Sequence, residues 1–151
     1  MRLTAHTDYA LRVLIYLGLQ PNRMATIREI SDRYELSRDH LMKIAQKLSN
    51  AGFIETVRGK NGGIRLGRDP GTVLVGDIVR TMEGRMDLVE CHGKGKNTCL
   101  IVPVCILQNV MHEALEAFLN VLDQYTLADL LHPSDALTKL VQLDVKYIKS
   151  A

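Results

Sequence analysis

The fold is decided by the stretch Phe53-Ile-Glu-Thr-Val-Arg-Gly-Lys-Asn-Gly-Gly-Ile-Arg-Leu66. Its two ends, residues 53–57 and 64–66, are rich in β-branched and aromatic residues, and a glycine-rich loop lies between them. This pattern is typical of two antiparallel strands joined by a short turn. The loop carries the cationic side chains of Arg58 and Lys60, and its glycines let the backbone approach another surface closely. We therefore predict a β-hairpin with a basic tip.

Two short helices are predicted directly before this hairpin. Thr26-Ile-Arg-Glu29 has the hydroxyl and the carboxylate of a capping box, so a helix should begin there and run to about Tyr34. Ser37 is a good N-cap for a second helix that ends near Ala51. The stripe expected to be buried consists of Leu41, Ile44, Ala45 and Leu48. Two helices, a tight turn and a basic outer face are the organisation of a helix-turn-helix.

A helix-turn-helix followed by a hairpin wing indicates DNA binding more specifically than either element alone, with ordinary helical packing as the alternative. The charge distribution supports DNA binding, since residues 1–68 contain 12 Lys and Arg against 6 Asp and Glu, whereas residues 69–151 contain 7 against 11. A basic N-terminal half suits a phosphate backbone. The side chains and backbone predicted to contact double-stranded DNA belong to Thr26, Ser37, Arg38, His40, Lys43, Lys47, Arg58, Lys60 and Gly62.

The rest of the chain is predicted to be helical. Apolar spacing indicates a helix over residues 4–18 and another over Val75–Glu83, ended by Gly84. A long helix of six turns should follow, with Pro103 in its first turn and its end near Asp123. Its extra apolar surface predicts a contact between the subunits of a homodimer, although packing within one subunit is the alternative.

Two further signals describe the C-terminal part of the chain. Thr126-Leu-Ala-Asp129 resembles another capping box, so a short helix should begin there and stop at His132-Pro133. The tail from Ser134 fits either a helix or a strand, since Leu143, Val145 and Tyr147 alternate. The predicted fold class is mainly α with a small β-hairpin wing. We expect a winged helix-turn-helix head over residues 1–68, a cysteine loop and dimerisation helices over residues 69–132, and a tail of no assigned role over residues 133–151.

Composition and motifs exclude several classes of protein. The sequence has no Gly-x-Ser-x-Gly elbow, no Walker-type phosphate loop and no His-Glu-x-x-His motif, so we predict that it is not an enzyme. No apolar run is long enough to span a bilayer and no signal-peptide pattern is present, so no membrane partner and a cytoplasmic location are predicted.

All three cysteines of the chain lie in the stretch 91–105, at Cys91, Cys99 and Cys105. An odd number cannot form a complete set of disulfides, and thiolates are soft ligands that favour iron–sulfur clusters, zinc or copper(I). From the residues alone, an iron–sulfur cluster and zinc are equally favoured, with a thiol switch behind them. A fourth ligand would be needed, and the candidates are His92, His112, His6 and Asp8.

The whole pattern resembles the winged-helix iron–sulfur transcriptional regulators of the NsrR/IscR type over roughly residues 1–132. The resemblance rests on Thr7-Asp-Tyr-Ala-Leu-Arg12, Leu36-Ser-Arg-Asp-His-Leu-Met-Lys43, Arg58-Gly-Lys-Asn-Gly-Gly63, Leu127-Ala-Asp-Leu130 and the cysteine loop. The NsrR branch is the nearer one, because Gln108 stands where IscR-type members have a histidine. Seven residues separate Cys91 from Cys99, where family members mostly have five.

The resemblance implies a homodimeric repressor whose 4Fe-4S or 2Fe-2S cluster controls operator binding and is attacked by nitric oxide. It implies cluster ligands at Cys91, Cys99 and Cys105, completed by Asp8 from the other subunit. The alternatives are an iron–sulfur or redox regulator of cluster-assembly genes, and a winged-helix regulator switched by zinc or by its thiols. A small iron–sulfur electron carrier or redox enzyme component is a further alternative, but it does not explain the wing or the basic N-terminal half.

Overall fold

The computed structural model describes residues 2–21, 23–60, 62–93 and 97–141 of the chain. Within them the chain is mainly helical with one antiparallel hairpin, which confirms the predicted fold class. Three short 3-10 turns lie at Pro70–Thr72, Glu90–His92 and Val102–Val104. The helices and strands in chain order are α1 (Ala5–Gly18), α2 (Ile27–Tyr34), α3 (Arg38–Asn50), β1 (Ile54–Val57), β2 (Gly63–Leu66), α4 (Val75–Glu83), α5 (Ile106–Leu122), α6 (Leu127–Leu130) and α7 (Ser134–Leu140).

Local sequence signals explain where most helices begin. The hydroxyls of Thr4, Thr26 and Thr126 accept hydrogen bonds from backbone N–H groups in the first turns of α1, α2 and α6, as expected of N-caps. Asp129 completes the capping box at Thr126. Ser37 also occupies the N-cap position of α3, but its side chain makes no capping hydrogen bond. The predicted starts of α2, α3 and α6 are therefore confirmed.

The two strands pair as an antiparallel hairpin, as the sequence predicts. Ile54 pairs with Leu66 and Val57 pairs with Gly63. A short β-bridge between Ala25 and Ile64 fastens β2 to the segment before α2. The wing is thus held against the helix-turn-helix.

In the part of the chain that the structure describes, one hydrophobic core surrounds α1, which packs against α3, α4 and α6. Its fully buried members come from both sides of residue 68, so the head and the helices after it share one interior. The division at residue 68 remains a prediction about function. The largest fully buried side chains of this core include Leu14, Tyr16, Ile44, Leu48, Ile78 and Leu127.

The start and length of α5 correct one prediction. Pro103 lies in a separate 3-10 turn, and α5 begins only at Ile106. Cys105 between them has an extended backbone, with φ −81° and ψ 107°, which interrupts the helix. The prediction was wrong because a proline fits the first turn of a 3-10 helix as well as that of an α-helix. The helix therefore has 17 residues and is shorter than the six turns expected.

The C-terminal tail is helical where it is described, since α7 spans Ser134–Leu140. The strand-like alternation at Leu143, Val145 and Tyr147 lies outside the described residues. Among the helices that the structure describes, none is long and apolar enough to cross a membrane.

Candidate DNA interface and thiol site

The outward side of α3 is basic, as its sequence predicts. Leu41, Ile44 and Leu48 are buried, whereas Arg38, Lys43 and Lys47 are exposed. Arg38 lies 3.6 Å from the carboxylate of Asp32 in an exposed ion pair, which is a weak constraint in water. The exposed polar residues predicted to contact DNA on this helix or at its start are Ser37, Arg38, His40, Lys43 and Lys47.

A cleft of about 470 Å³ separates α3 from the wing. Met42, Gln46 and Asn50 line it from the helix, and Arg58 lines it from the wing. The first three were not among the predicted contact residues. Their spacing of four places them on one face of α3, and that signal could have identified them. Because residues of both elements line the cleft, α3 and the wing form one continuous surface, called the α3–wing surface below.

The wing presents its basic residues to solvent. Arg58 and Lys60 are both exposed, so both side chains are accessible for the predicted contacts with DNA. Across the strands, the guanidinium of Arg65 contacts the Glu55 carboxylate at 2.7 Å. A methyl group added at Gly62 would overlap the backbone carbonyl of Val57, so the tip can close only with glycine at that position.

Thr26 has a structural partner in addition to its predicted role. Its hydroxyl accepts a hydrogen bond from the Glu29 N–H at 3.2 Å, and the residue remains exposed at the start of α2. A phosphate contact by Thr26 would therefore use the hydroxyl hydrogen, which this capping bond leaves available.

The three cysteines are all free thiols, but they differ in exposure. Cys91 is half-buried in the turn Glu90–His92, Cys105 is half-buried directly before α5, and Cys99 is exposed between them. Cys91 and Cys105 line two adjacent shallow cavities that share Gln108 and Asn109. The first turn of α5 therefore lies between two of the three thiols. Among the described residues, no three His, Cys, Asp or Glu side chains form a group that could hold a metal ion.

The histidine candidates for a fourth ligand already have neighbours. The Nε2 atom of His92 lies 3.0 Å from the backbone oxygen of Gln108, which fastens the turn carrying Cys91 to α5. The His92 and His112 rings meet edge to face, with centroids 6.0 Å apart. His6 lies similarly against His40 at 5.9 Å.

Asp8, the predicted fourth ligand, lies in the first turn of α1 and is exposed. Its carboxylate accepts hydrogen bonds from the guanidinium of Arg12. Within the described residues of the chain, Asp8 does not form a common group with the cysteines.

The C-terminal end of α4, which leads into the cysteine loop, is bound to two other helices. The Oε1 atom of Glu83 accepts hydrogen bonds from the Thr4 N–H at 2.7 Å, the Thr4 hydroxyl at 3.1 Å and the Thr7 hydroxyl at 2.5 Å. The backbone oxygen of Met82 accepts one from the Lys47 ammonium at 2.8 Å. Neither contact was predicted from the sequence, because the residues that form the contacts are 35 or more positions apart.

Electrostatics at this helix end favour the charged carboxylate. Burial would raise the pKa of Glu83, but the hydrogen bonds from Thr7 and Thr4 and the positive charge of Lys47 hold that pKa below its ordinary value. An ionised Glu83 therefore accepts all of these hydrogen bonds at neutral pH.

The other face of α4 is fixed to α5. Arg80 donates two hydrogen bonds to the carboxylate of Asp123, at 2.7 and 2.5 Å. Gly76 lies directly beneath this pair, where a methyl group would overlap the Asp123 carboxylate. A two-bond guanidinium–carboxylate pair is directional, so it sets the angle between the two helices that flank the cysteine loop.

Solved structures have a similar overall fold. The fold is similar to that of T. potens IscR, with a TM-score of 0.69 and 27% identity over 90% of this chain and 88% of that one. It is also similar to CymR, the global cysteine regulator of B. subtilis, with a TM-score of 0.64 and 27% identity over 86% of this chain and 95% of that one.

Proteins with similar sequences are also transcriptional regulators. The HTH-type transcriptional regulator NsrR of Bacillus subtilis is 46% identical over 144 residues, which are 95% of this chain and 99% of that protein. That of Shouchella clausii is 45% identical over 143 residues, or 94% of this chain and 96% of that protein. The chain matches the Rrf2 family, whose members are iron-dependent transcriptional regulators, over residues 3–133. The resemblance found in the sequence is thereby confirmed, and the chain belongs to the Rrf2 family of transcriptional regulators.

Proposed function

We propose that this chain is a cytoplasmic, homodimeric repressor that binds an operator in double-stranded DNA and releases it when nitric oxide attacks an iron–sulfur cluster. The observation that carries the proposal is the combination of a basic α3–wing surface with three free thiols in one loop. The names of the B. subtilis and S. clausii relatives support the choice of signal.

DNA binding is supported by the shape and charge of the α3–wing surface. Arg38, His40 and Lys43 project from α3 and suit a major groove, with Arg38 and His40 as the candidates for reading base edges. Arg58 and Lys60 of the wing suit the adjoining minor groove or backbone. Ser37, Thr26 and the Gly62 backbone complete the proposed contacts with phosphates.

Dimerisation is supported by α5. Leu107, Val110 and Val121 are 55%, 50% and 53% exposed, although they lie on a helix whose apolar residues should be covered. A second copy of the same helix is the simplest cover, because a symmetric dimer uses one self-complementary patch twice.

The donor set fits an iron–sulfur cluster. Cys91, Cys99 and Cys105 are unpaired soft ligands in one stretch of the chain, and thiolates are the ligands that hold iron–sulfur clusters in proteins. When bound, a 4Fe-4S or 2Fe-2S cluster would supply the iron with which nitric oxide reacts. Following the resemblance to the iron–sulfur regulators, we assign the fourth position to Asp8 of the second subunit.

An oxygen ligand at that position would form the weakest of the bonds between the protein and the cluster. In a sulfide-bridged cluster, carboxylate oxygen is expected to bind iron less firmly than thiolate sulfur does, so Asp8 would be the first protein ligand released. Because Asp8 is part of α1, its release would free a DNA-binding head from the loop of the other subunit. Two heads fixed at one separation read two half-sites, and rotation of either head would weaken both contacts.

The test is an anaerobic purification followed by a visible spectrum, iron and sulfide analysis, and operator binding before and after addition of nitric oxide. We expect a chromophore, stoichiometric iron and sulfide, tight binding of the loaded dimer and loss of binding after nitric oxide. A colourless zinc protein that binds its operator would favour the zinc-switched or thiol-switched regulator instead. A chromophore without a nitric-oxide response would favour a regulator of cluster-assembly genes.

A further inference from the structure

Lys47 lies in the last turn of α3, the helix proposed to enter the major groove, but its ammonium is directed at another helix. It donates a hydrogen bond to the backbone oxygen of Met82, 2.8 Å away and 35 residues later in the chain. That oxygen is one of the last four carbonyls of α4, which have no partner within the helix. A cation at this end also interacts favourably with the helix dipole.

The same end of α4 is connected to α1. Glu83, the next residue, accepts the three hydrogen bonds from Thr4 and Thr7 at the N-terminus of α1, next to Asp8. Gly84 then ends the helix, and the chain enters the loop that carries Cys91. A displacement of this loop or of Asp8 would therefore act on the end of α4 whose Met82 carbonyl Lys47 contacts.

The direction of the Lys47 ammonium also affects which lysine of α3 can contact a DNA phosphate. Lys43 lies one turn earlier on the same side of α3 and is exposed, and it keeps the phosphate contact proposed for it. An ammonium held by the Met82 carbonyl has one of its donors directed towards α4.

We propose that Lys47 is a positioning residue: its bond to the Met82 carbonyl fixes the angle of α3 and couples the state of the cysteine loop to operator affinity. This role replaces the phosphate contact predicted for it from the sequence. The proposal rests on the proposed function, because it needs a loop whose state changes.

The test compares Lys47→Met, Lys47→Arg and Lys43→Met with the parent. Each protein is assayed anaerobically for operator binding over a series of salt concentrations, once with its cluster and once after removal of the cluster. Circular dichroism and gel filtration check that each variant is a folded dimer. Methionine keeps most of the apolar stem of lysine but removes the charge and the donor, whereas arginine keeps both.

For Lys47→Met we expect about a tenfold loss of affinity in the loaded protein, within the usual range of a coupling between two sites. Its cluster-free form should bind as the cluster-free parent does, and the slope of log K against log salt should be unchanged. Lys47→Arg should recover the parent affinity. Lys43→Met, in contrast, should reduce the slope by about 0.9 and weaken both forms equally.

The proposal is overturned if Lys47→Met reduces the salt slope as much as Lys43→Met does, or if it leaves the affinity of the loaded protein unchanged. Failure of the proposed function is recognised separately, from the parent alone, if the parent binds its operator equally with and without the cluster.

Discussion

The carboxylate of Asp8 accepts two hydrogen bonds from the guanidinium of Arg12, at 2.7 and 3.2 Å, one turn later on α1. The two side chains are 50% and 44% exposed. An exposed pair of this kind contributes only about 0.2–1 kcal/mol to stability. Arg12 therefore orients the carboxylate without preventing it from taking a second partner.

Asp8→Ala is expected to change the visible spectrum of the anaerobic protein and to weaken operator binding, because a proposed cluster ligand on α1 is lost. His92→Ala is the matched comparison, and its spectrum should stay close to that of the parent. An Asp8→Ala protein with the parent's spectrum and affinity would leave Asp8 with only its helix-start and Arg12 contacts.

Cys99→Ser is expected to abolish the chromophore or make it very labile, yet leave a folded dimer. Cys99 is exposed, and its backbone N–H bonds only locally to the Asn97 side chain at 3.0 Å, so it contributes nothing to the core. Gel filtration and thermal unfolding should match those of the parent after cluster removal. A full, stable cluster in this variant would remove Cys99 from the site.

The double variant Lys43→Ala and Arg58→Ala tests the α3–wing surface. Each cation that neutralises a phosphate contributes about 0.9 to the slope of log K against log salt, so the slope should fall by about 1.8. Lys139→Ala, on α7, is the control and should leave the slope unchanged. Parent-like operator binding by the double variant at physiological salt would contradict this mode of docking.

Gly62→Ala should displace the wing tip, because the new methyl group would overlap the backbone oxygen of Val57. Operator affinity should fall while the core, which lies elsewhere, keeps its thermal stability to within a few degrees. Gly71→Ala is the control, since its methyl group would meet only the Asp69 side chain at 3.1 Å in an exposed turn. Equal operator affinities for both variants would mean that the wing does not contact DNA.

Glu29 predicts a measurable pH dependence of stability. It accepts hydrogen bonds from the Tyr16 hydroxyl, at 2.5 Å, and from Arg23. Burial would raise the pKa of Glu29, but the hydrogen bonds from Tyr16 and Arg23 and the charge of Arg23 bring that pKa below its ordinary value of 4.5. A lowered pKa stabilises the fold above the ordinary value, and this stabilisation is lost as the pH falls through the folded-state pKa.

The measurement is denaturant unfolding of the parent and of Glu29→Gln between pH 7 and 3, at intervals that cross 4.5. The difference in free energy of unfolding between the two proteins should be largest at neutral pH and should shrink below the ordinary pKa. Other carboxylates titrate equally in both proteins, so they cancel in this difference. A difference that stayed constant across the whole range would contradict the role assigned to the ionised Glu29.

Much of the fold could be predicted from the sequence because its signals are local. The capping hydroxyls of Thr26 and Thr126 lie within three residues of their partners, and the buried stripe of α3 repeats with the helical period. The start of α5 was not predictable, because Pro103 suits either kind of helix and the extended backbone of Cys105 leaves no sequence signal.

In the candidate site, too, some features could be predicted from the sequence and others could not. Its thiols and its basic surface could be identified by residue type. The partner of Lys47 and the three donors to Glu83 are set by how α1, α3 and α4 pack, and no short-range pattern reports this. Asp8 was assigned by resemblance, and its proposed role depends on the second subunit.

The packing of Leu127 has a consequence for synthesis on the ribosome. Its N–H donates to the Val73 oxygen at 2.8 Å, and its side chain is fully buried in the core around α1. A growing chain exposes α3 and the wing long before this core can close, because translation proceeds from the N-terminus at about 5–20 residues per second. A truncated product that ends before Leu127 would carry the basic surface without the packing that orients it. A chain truncated before Leu127 is therefore expected to bind an operator less tightly than one that includes α6.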